Sequence, residues 1–155
     1  MPINPAYLHL LLDPIPVVGV PFSLLALVVA LMMNRREFVR FSLLLFVGLA
    51  ISTILVYLTG EPAERLVEYL PGVWAAAISR HRDAGLWSLA GVETLGFLAA
   101  AGLFVSRRGG RVPGRLVLTI VVGALAVTGL VAWTTHTGQQ VRHPEASLWF
   151  QPPAH

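Results

Sequence analysis

The chain contains no cysteine and no lysine, and only 12% of its residues are charged. The absence of cysteine excludes disulfides, thiolate metal ligands, iron–sulfur clusters and covalently attached c-type haem. The absence of lysine means that the formal net charge of +3 rests entirely on arginine. The sequence also lacks a glycine-rich phosphate loop, a His-Glu-x-x-His pair and a Gly-x-Ser-x-Gly elbow. It therefore shows no hydrolase signature, and whether the protein is an enzyme stays open.

Apolar residues are abundant: they make up 55% of the 155 positions, and the mean hydropathy is +0.71. A soluble domain of this size needs far more polar surface toward water. The composition therefore predicts a single integral membrane domain over residues 1–155, in contact with a lipid bilayer. The basic residues lie mainly in two short loops, so they indicate orientation in the membrane and not nucleic-acid binding.

Four apolar runs are long enough to cross a hydrocarbon core of about 30 Å, which takes roughly 20 helical residues. They cover about residues 15–33, 38–58, 84–105 and 116–133. Only helices fit, because open strands in lipid leave backbone groups unpaired and none of the runs alternates like a barrel strand. The sequence predicts an all-α fold, a bundle of four transmembrane helices. Pro14, Pro16 and Pro21 are expected to bend the outer half of the first helix.

Seven of the eleven arginines lie at 34–37, at 106–115 and at Arg40. The positive-inside rule places these two loops in the cytoplasm and both termini on the periplasmic or extracellular side. The N-terminal segment has neither a basic region nor a small-residue cleavage site, so the first helix is expected to be retained. We expect a multi-pass protein of a bacterial inner (plasma) membrane.

The segment between the second and third spans, residues 59–83, has its own pattern. Gly60-Glu61-Pro62 is typical of a helix start, and apolar residues then recur at helical spacing opposite charged ones. This pattern predicts a short amphipathic helix on the outer membrane surface. Pro71-Gly72 is expected to break it, and Val73–Arg80 is expected to form a second short helix.

The candidate site lies on the predicted outer side, where four histidines follow or precede the apolar runs. Three helix ends, carrying His9, His81 and His136, are expected to converge at similar depth in an up-down bundle. Neutral imidazoles there can ligate a b-type haem from two sides, or bind copper or zinc. The alternative is that these residues, like His143, are interfacial side chains facing water. No pair has i, i+3 or i+4 spacing on one helix.

Further polar residues on the same side are candidates for a second shell that orients the ligands. They are Asp13, Glu61, Asp83, Gln139 and His143. Glu93 lies deep in the third span, where a carboxyl group is expected to face the bundle. It is either a proton relay or cofactor link, or a neutral interhelical hydrogen bond with Ser88, Thr94 or Thr128.

Five segments resemble an uncharacterised family of bacterial four-helix membrane proteins, of the domain-of-unknown-function type. The segments are Tyr7–Gly19, Tyr57–Glu64, Leu70–Val73, His81–Ala84 and Gly138–Glu145. Members occur beside or fused to cytochrome-like modules, so the resemblance implies a respiratory or redox membrane and a cytochrome or respiratory complex as partner. The family's first motif often reads His-Leu-Leu-Leu-Asn-His-Ile-Pro. Here Asp13-Pro14 replaces Asn-His, so one possible ligand is missing.

Three hypotheses follow from the sequence. The first is a haem-binding electron-transfer protein whose ligands are two of His9, His81 and His136. The second is a cofactor-free accessory subunit of a larger membrane complex, indicated by glycine-rich faces that favour helix association, including homo-oligomers. The third is a metal-handling protein that uses the same histidines for copper or zinc.

Overall fold

The computed structural model describes residues 4–143, and this part of the chain folds into five α-helices. They are α1 Pro5–Leu12, α2 Pro14–Met32, α3 Arg36–Val67, α4 Ala75–Ser106 and α5 Gly114–Arg142. In the bundle, α2 and α4 each pack against both α3 and α5. Counting α1 with α2, the chain has four helices long and apolar enough to cross a membrane. The predicted all-α bundle of four helices is confirmed.

The first membrane helix is interrupted at Asp13, as its prolines predict. Pro14 has no N–H to continue the hydrogen-bond ladder, and α1 ends at Leu12. Asp13 nevertheless keeps helical angles, φ −53° and ψ −38°. The Asn4 side chain caps the start of α1, with its Oδ1 3.0 Å from the Ala6 nitrogen. The interruption turns α1 into a separate short helix, which packs on α3 and carries His9.

The segment after the second span differs from the prediction, because no separate amphipathic helix forms there. Helix α3 continues through Pro62 to Val67, and α4 already begins at Ala75. Pro62 removes one backbone hydrogen bond, but α3 continues through it and Ala63 is buried against the bundle. The chain turns between α3 and α4, where Gly72 has φ +81°, a conformation that glycine adopts readily. The break at Pro71-Gly72 is confirmed.

One apolar core runs along the bundle, and apolar side chains also cover its outside. The core contains Leu27, Phe46, Leu95 and Ile120, one from each of α2 to α5, all at most 2% exposed. Large apolar residues on the outer faces are instead widely exposed, for example Phe97 at 76%. A surface of this kind suits lipid, because hydrocarbon makes no demand for polar groups.

Small residues set how closely the long helices approach. A Cβ added at Gly96 of α4 would meet the Cβ of Ala50 on α3 at less than normal contact distance. The two helices therefore cross with almost no side chain between them, as small residues permit in membrane bundles. This close crossing fixes α4 against α3 in the middle of the bundle.

The helices are longer than a hydrocarbon core requires. At 1.5 Å per residue, the 32-residue α3 is roughly 48 Å long, against a core of about 30 Å. Thr59 lies about 35 Å along α3 from its start at Arg36. The last turns of α3 and the first of α4 therefore lie at and beyond one boundary of the apolar layer.

Candidate functional site

The His9 ring is held against α3 by its Nδ1 atom. This atom lies 3.1 Å from the Val56 carbonyl oxygen and 3.0 Å from Thr59 Oγ1. The Thr59 hydroxyl donates its own proton to the Val56 carbonyl at 2.7 Å. Both neighbours must then accept from the ring, because a carbonyl cannot donate and the hydroxyl proton is already used. His9 is therefore protonated on Nδ1, and in the neutral ring Nε2 keeps a lone pair.

The His81 ring is held against α5 in the same way. Its Nδ1 lies 3.1 Å from the Thr134 carbonyl oxygen and 3.4 Å from Thr137 Oγ1. The Thr137 hydroxyl donates to the Thr134 carbonyl at 2.9 Å. Further along the same helix pair, Ser88 and Thr134 join their hydroxyls at 2.7 Å. His81 has the same tautomer as His9, and α4 is additionally tied to α5.

A glycine follows each of the two threonines, and each lies against the ring that its threonine binds. A Cβ added at Gly60 would lie 3.6 Å from His9 Cε1, and one added at Gly138 would lie 2.9 Å from His81 Cε1. We call each set of carbonyl, threonine and glycine a cradle: Val56, Thr59 and Gly60 for His9, and Thr134, Thr137 and Gly138 for His81. The glycines let the rings approach the helix backbone closely enough to reach a carbonyl.

The two histidines lie side by side, although the helices that carry them belong to different parts of the chain. The ring centroids are 6.4 Å apart and the ring planes are inclined by 77°. Helix α1 packs chiefly on α3, while α4 packs on α3 and α5. The two rings therefore lie next to each other while their Nδ1 atoms point to different helices. The Nδ1 of His9 points to α3, and the Nδ1 of His81 points to α5.

Carboxylates surround the pair at the same end of the bundle. Asp13 and Glu64 both act electrostatically on His81. Glu64 also forms an ion pair with Arg82 of α4 at 3.2 Å. This pair joins the last turns of α3 to the first turns of α4 beside the histidines.

The remaining predicted site residues lie elsewhere on this end. His136 is exposed on α5, and its Nε2 accepts a hydrogen bond from the Gln140 amide at 3.0 Å. Glu61 is paired with Arg65 on the surface of α3 at 2.5 Å. Asp83, Gln139 and His143 are also exposed. The structure therefore brings together His9 and His81, two of the three predicted ligands, but not His136. Among the residues predicted to orient the ligands, Asp13 is the one whose charge acts on His81.

Glu93 lies within the apolar part of α4, twelve residues and so about 18 Å along the helix from His81. Its Oε1 is buried and has no hydrogen-bond partner among residues 4–143. The hydroxyls expected to bind it are used by others: Thr94 donates to Ala90, and Thr128 to Ala124. Ser88 is bonded to Thr134. The expected interhelical hydrogen bond is absent from this part of the chain, and Glu93 is too distant to orient His81.

The threonines and glycines of the cradles were not predicted from the sequence, although a signal exists. Thr59-Gly60 and Thr137-Gly138 are two of the chain's three Thr-Gly pairs, and they lie near the ends of α3 and α5 where the histidines are. The threonine of each pair contacts a histidine on an earlier helix, α1 for Thr59 and α4 for Thr137. The repeat becomes recognisable only when the partner of each imidazole is known, because single Thr-Gly pairs are common.

Comparison of the chain with family models, with curated proteins and with solved structures gives no match. The site is therefore interpreted from its own geometry.

Proposed function

We propose that the protein binds a b-type haem at the outer end of its membrane bundle, where His9 and His81 would hold the iron, and that it transfers electrons in the membrane. The observation that carries this proposal is the pairing of two oriented imidazoles at 6.4 Å. Metal–nitrogen bonds are about 2 Å long, so ring centroids at this separation would let both imidazoles hold one metal ion.

The orientation of the rings supports ligation. A histidine ligand normally donates its other ring N–H to a carbonyl, carboxylate or water, which fixes the tautomer and makes the ligand more basic. In both cradles the Nδ1–H is used in this way, by Val56 and Thr59 or by Thr134 and Thr137. Nε2 is left as the ligating atom of each ring. The polypeptide thus holds two ligands ready before any cofactor binds.

The number of ligands favours haem over zinc or copper. Structural zinc takes four protein ligands and catalytic zinc three. Within residues 4–143, no group of three or more His, Asp or Glu side chains is arranged to hold a metal ion. A haem iron needs only two axial ligands from the protein, because the porphyrin supplies the other four. When bound, the haem supplies one-electron redox chemistry.

The position of the site also supports a redox role. The pair lies about 35 Å along the helices from the arginine-bearing end, at one boundary of the apolar layer. By the positive-inside rule this boundary is the periplasmic or extracellular one. A partner such as a cytochrome can approach there without entering lipid.

The test is to purify the protein in mild detergent, add haem, and record oxidised and reduced visible spectra together with a metal analysis. We expect a six-coordinate, low-spin spectrum. His9→Ala and His81→Ala should each convert it to a five-coordinate form or weaken haem binding by at least tenfold. His136→Ala is the matched control, because that imidazole is exposed and bonds only to Gln140 in the structure.

A folded protein that takes up no haem, or that binds it equally well without His9 and His81, would refute the proposal. Zinc or copper at stoichiometric level, lost on His81→Ala, would instead assign the same pair to metal handling.

The second candidate is a cofactor-free accessory subunit, and a specific observation favours it as well. Each imidazole already joins two helices, α1 to α3 and α4 to α5. In this role the histidines hold the helices together through hydrogen bonds between α1 and α3 and between α4 and α5. The exposed apolar faces then pack on a larger membrane complex. Copurification of a complex from native membranes that survives His9→Ala, together with no haem binding, would support this candidate over the first.

A further inference from the structure

The opposite end of the bundle contains a cavity that the proposed function does not use. It has a volume of about 110 Å³ and lies between the α2–α3 turn and the α4–α5 loop. Its lining includes four arginines, Arg35, Arg36, Arg40 and Arg111. Its floor is apolar, formed by residues of α2, α3 and α5 such as Leu31, Val39 and Val117.

None of these four arginines has a carboxylate within 4.0 Å among the described residues, although Glu37 lies next to Arg36 in the first turn of α3. Among residues 4–143 the ion pairs within 4.0 Å are Glu61–Arg65 and Glu64–Arg82, both at the histidine end. No carboxylate lines the cavity in the described part of the chain. Four exposed arginines of one sign line this small cavity, and an anion bound there would reduce the repulsion among them.

Backbone groups add to the positive character of the cavity. Helix α3 begins at Arg36, and the residue before it, Arg35, makes no side-chain cap. The first N–H groups of α3 therefore lack intrahelical partners at the same place where Arg35 and Arg36 line the cavity. The Arg36 guanidinium also donates to the Gly109 carbonyl at 3.3 Å, which joins the two loops around the cavity.

The positive-inside rule explains why arginines occur in these loops, but it does not require four of them to surround one cavity. We propose that this cavity binds a phosphate group, held by Arg35, Arg36, Arg40 and Arg111. Guanidinium groups suit phosphate because their planar N–H forks bind two oxygens at once. The apolar residues of the lining suit the glycerol and acyl carbons next to a phospholipid's phosphate, and free phosphate is the other source of the same chemistry.

The experiment measures the thermal stability of the purified protein in dodecyl maltoside, which carries neither charge nor phosphate. Three additions are titrated: short-chain phosphatidylglycerol, short-chain phosphatidylcholine, and inorganic phosphate against chloride at equal ionic strength. A ligand of the folded state raises the Tm with its concentration. We expect phosphatidylglycerol to raise it more than phosphatidylcholine. An equal rise with inorganic phosphate would support the cavity and assign it to free phosphate.

Charge-matched variants locate the effect. Arg36→Gln with Arg111→Gln removes two cavity arginines and should weaken the apparent affinity about tenfold or more. Arg35→Gln with Arg40→Gln is a second cavity variant, which leaves the Arg36–Gly109 hydrogen bond intact. The control is Arg108→Gln with Arg115→Gln, which removes the same charge from one loop residue and one residue in the first turn of α5, both outside the cavity lining.

The proposal is overturned if neither phosphatidylglycerol nor phosphate raises the Tm of the wild-type protein. It is equally overturned if the control variant loses as much affinity as the cavity variants, because binding then depends on general surface charge. These outcomes do not depend on haem binding, since the cavity and the histidine pair lie at opposite ends of the bundle.

Discussion

The two cradles are built from the same parts but differ in tightness. In each, an imidazole donates to a carbonyl and to the threonine three residues later, and a glycine follows that threonine. His9 lies on the eight-residue α1, whose start is capped only by Asn4, and a Cβ at Gly60 would be in ordinary contact with its ring. His81 lies within the 32-residue α4, and a Cβ at Gly138 would be too close at 2.9 Å.

The difference lies in how firmly the structure holds each imidazole. The His81 cradle is fixed by a long helix, by the Ser88–Thr134 bond and by the close approach of Gly138. The His9 cradle rests on a short helix that is separated from α2 by the Asp13-Pro14 interruption. We therefore expect the His81 side to be the rigid half of the site and the His9 side to adjust when a ligand enters.

The largest expected difference comes from adding a methyl group to each cradle glycine. Gly138→Ala should push the His81 ring away from the Thr134 carbonyl and lower the free energy of unfolding by about 1–3 kcal/mol. Gly60→Ala has room for its Cβ and should be neutral, or stabilising by up to about 1 kcal/mol through helix propensity. Unfolding of both variants in detergent measures the difference, and equal effects would mean that the cradles are equally tight.

A smaller difference is expected from deleting the threonine hydroxyls. Thr59→Val removes a hydroxyl 3.0 Å from His9 and should cost about 1 kcal/mol. Thr137→Val removes a more distant hydroxyl, 3.4 Å from His81, at a site only 5% exposed where valine packs well. It should cost less than Thr59→Val. Stability measurements in one detergent decide the order, and the reverse order would contradict the assigned hydrogen bonds.

The smallest effect is expected at the ion pair beside the site. The Glu64–Arg82 pair is partly exposed, with 58% of the arginine side chain accessible. Arg82→Gln should lower stability by less than about 1 kcal/mol, and added salt should shrink the difference further. A large, salt-independent loss would show that α3 and α4 depend on this contact. Arg65→Gln, in a pair within α3 alone, is the matched control.

Hydropathy was sufficient to predict the bundle, because each membrane helix must be apolar along its whole crossing length. Hydropathy could not predict where the helices end outside the apolar layer. The segments after Gly60 and before His81, which were predicted to form separate short helices, are parts of α3 and α4. Pro62 illustrates the reason. In the sequence alone a proline at this position indicates the start of a helix, but in the structure α3 continues past Pro62, with its neighbour Ala63 packed against the bundle.

The sequence could place histidines at one end but could not fix the rotation of each helix. His136 and Thr137 are neighbours on α5, and successive helical residues point about 100° apart. Thr137 turns to His81, so His136 turns to the surface and bonds Gln140. A shift of one position along α5 thus separates His136, the predicted ligand, from Thr137, the residue that contacts the His81 ring. The depth of Glu93 was likewise predictable, but not that its buried oxygen has no partner among residues 4–143.

The most direct test of the central claim is the low-temperature EPR spectrum of the haem-loaded ferric protein. The two ring planes are inclined by 77°, and if His9 and His81 held the iron at that inclination, two iron d orbitals would lie close in energy. We then expect a highly anisotropic low-spin signal in the wild-type protein and in His136→Ala, and its loss or replacement by a high-spin signal in His9→Ala and His81→Ala. A protein with no haem signal, or with the same low-spin signal in all four forms, would contradict it.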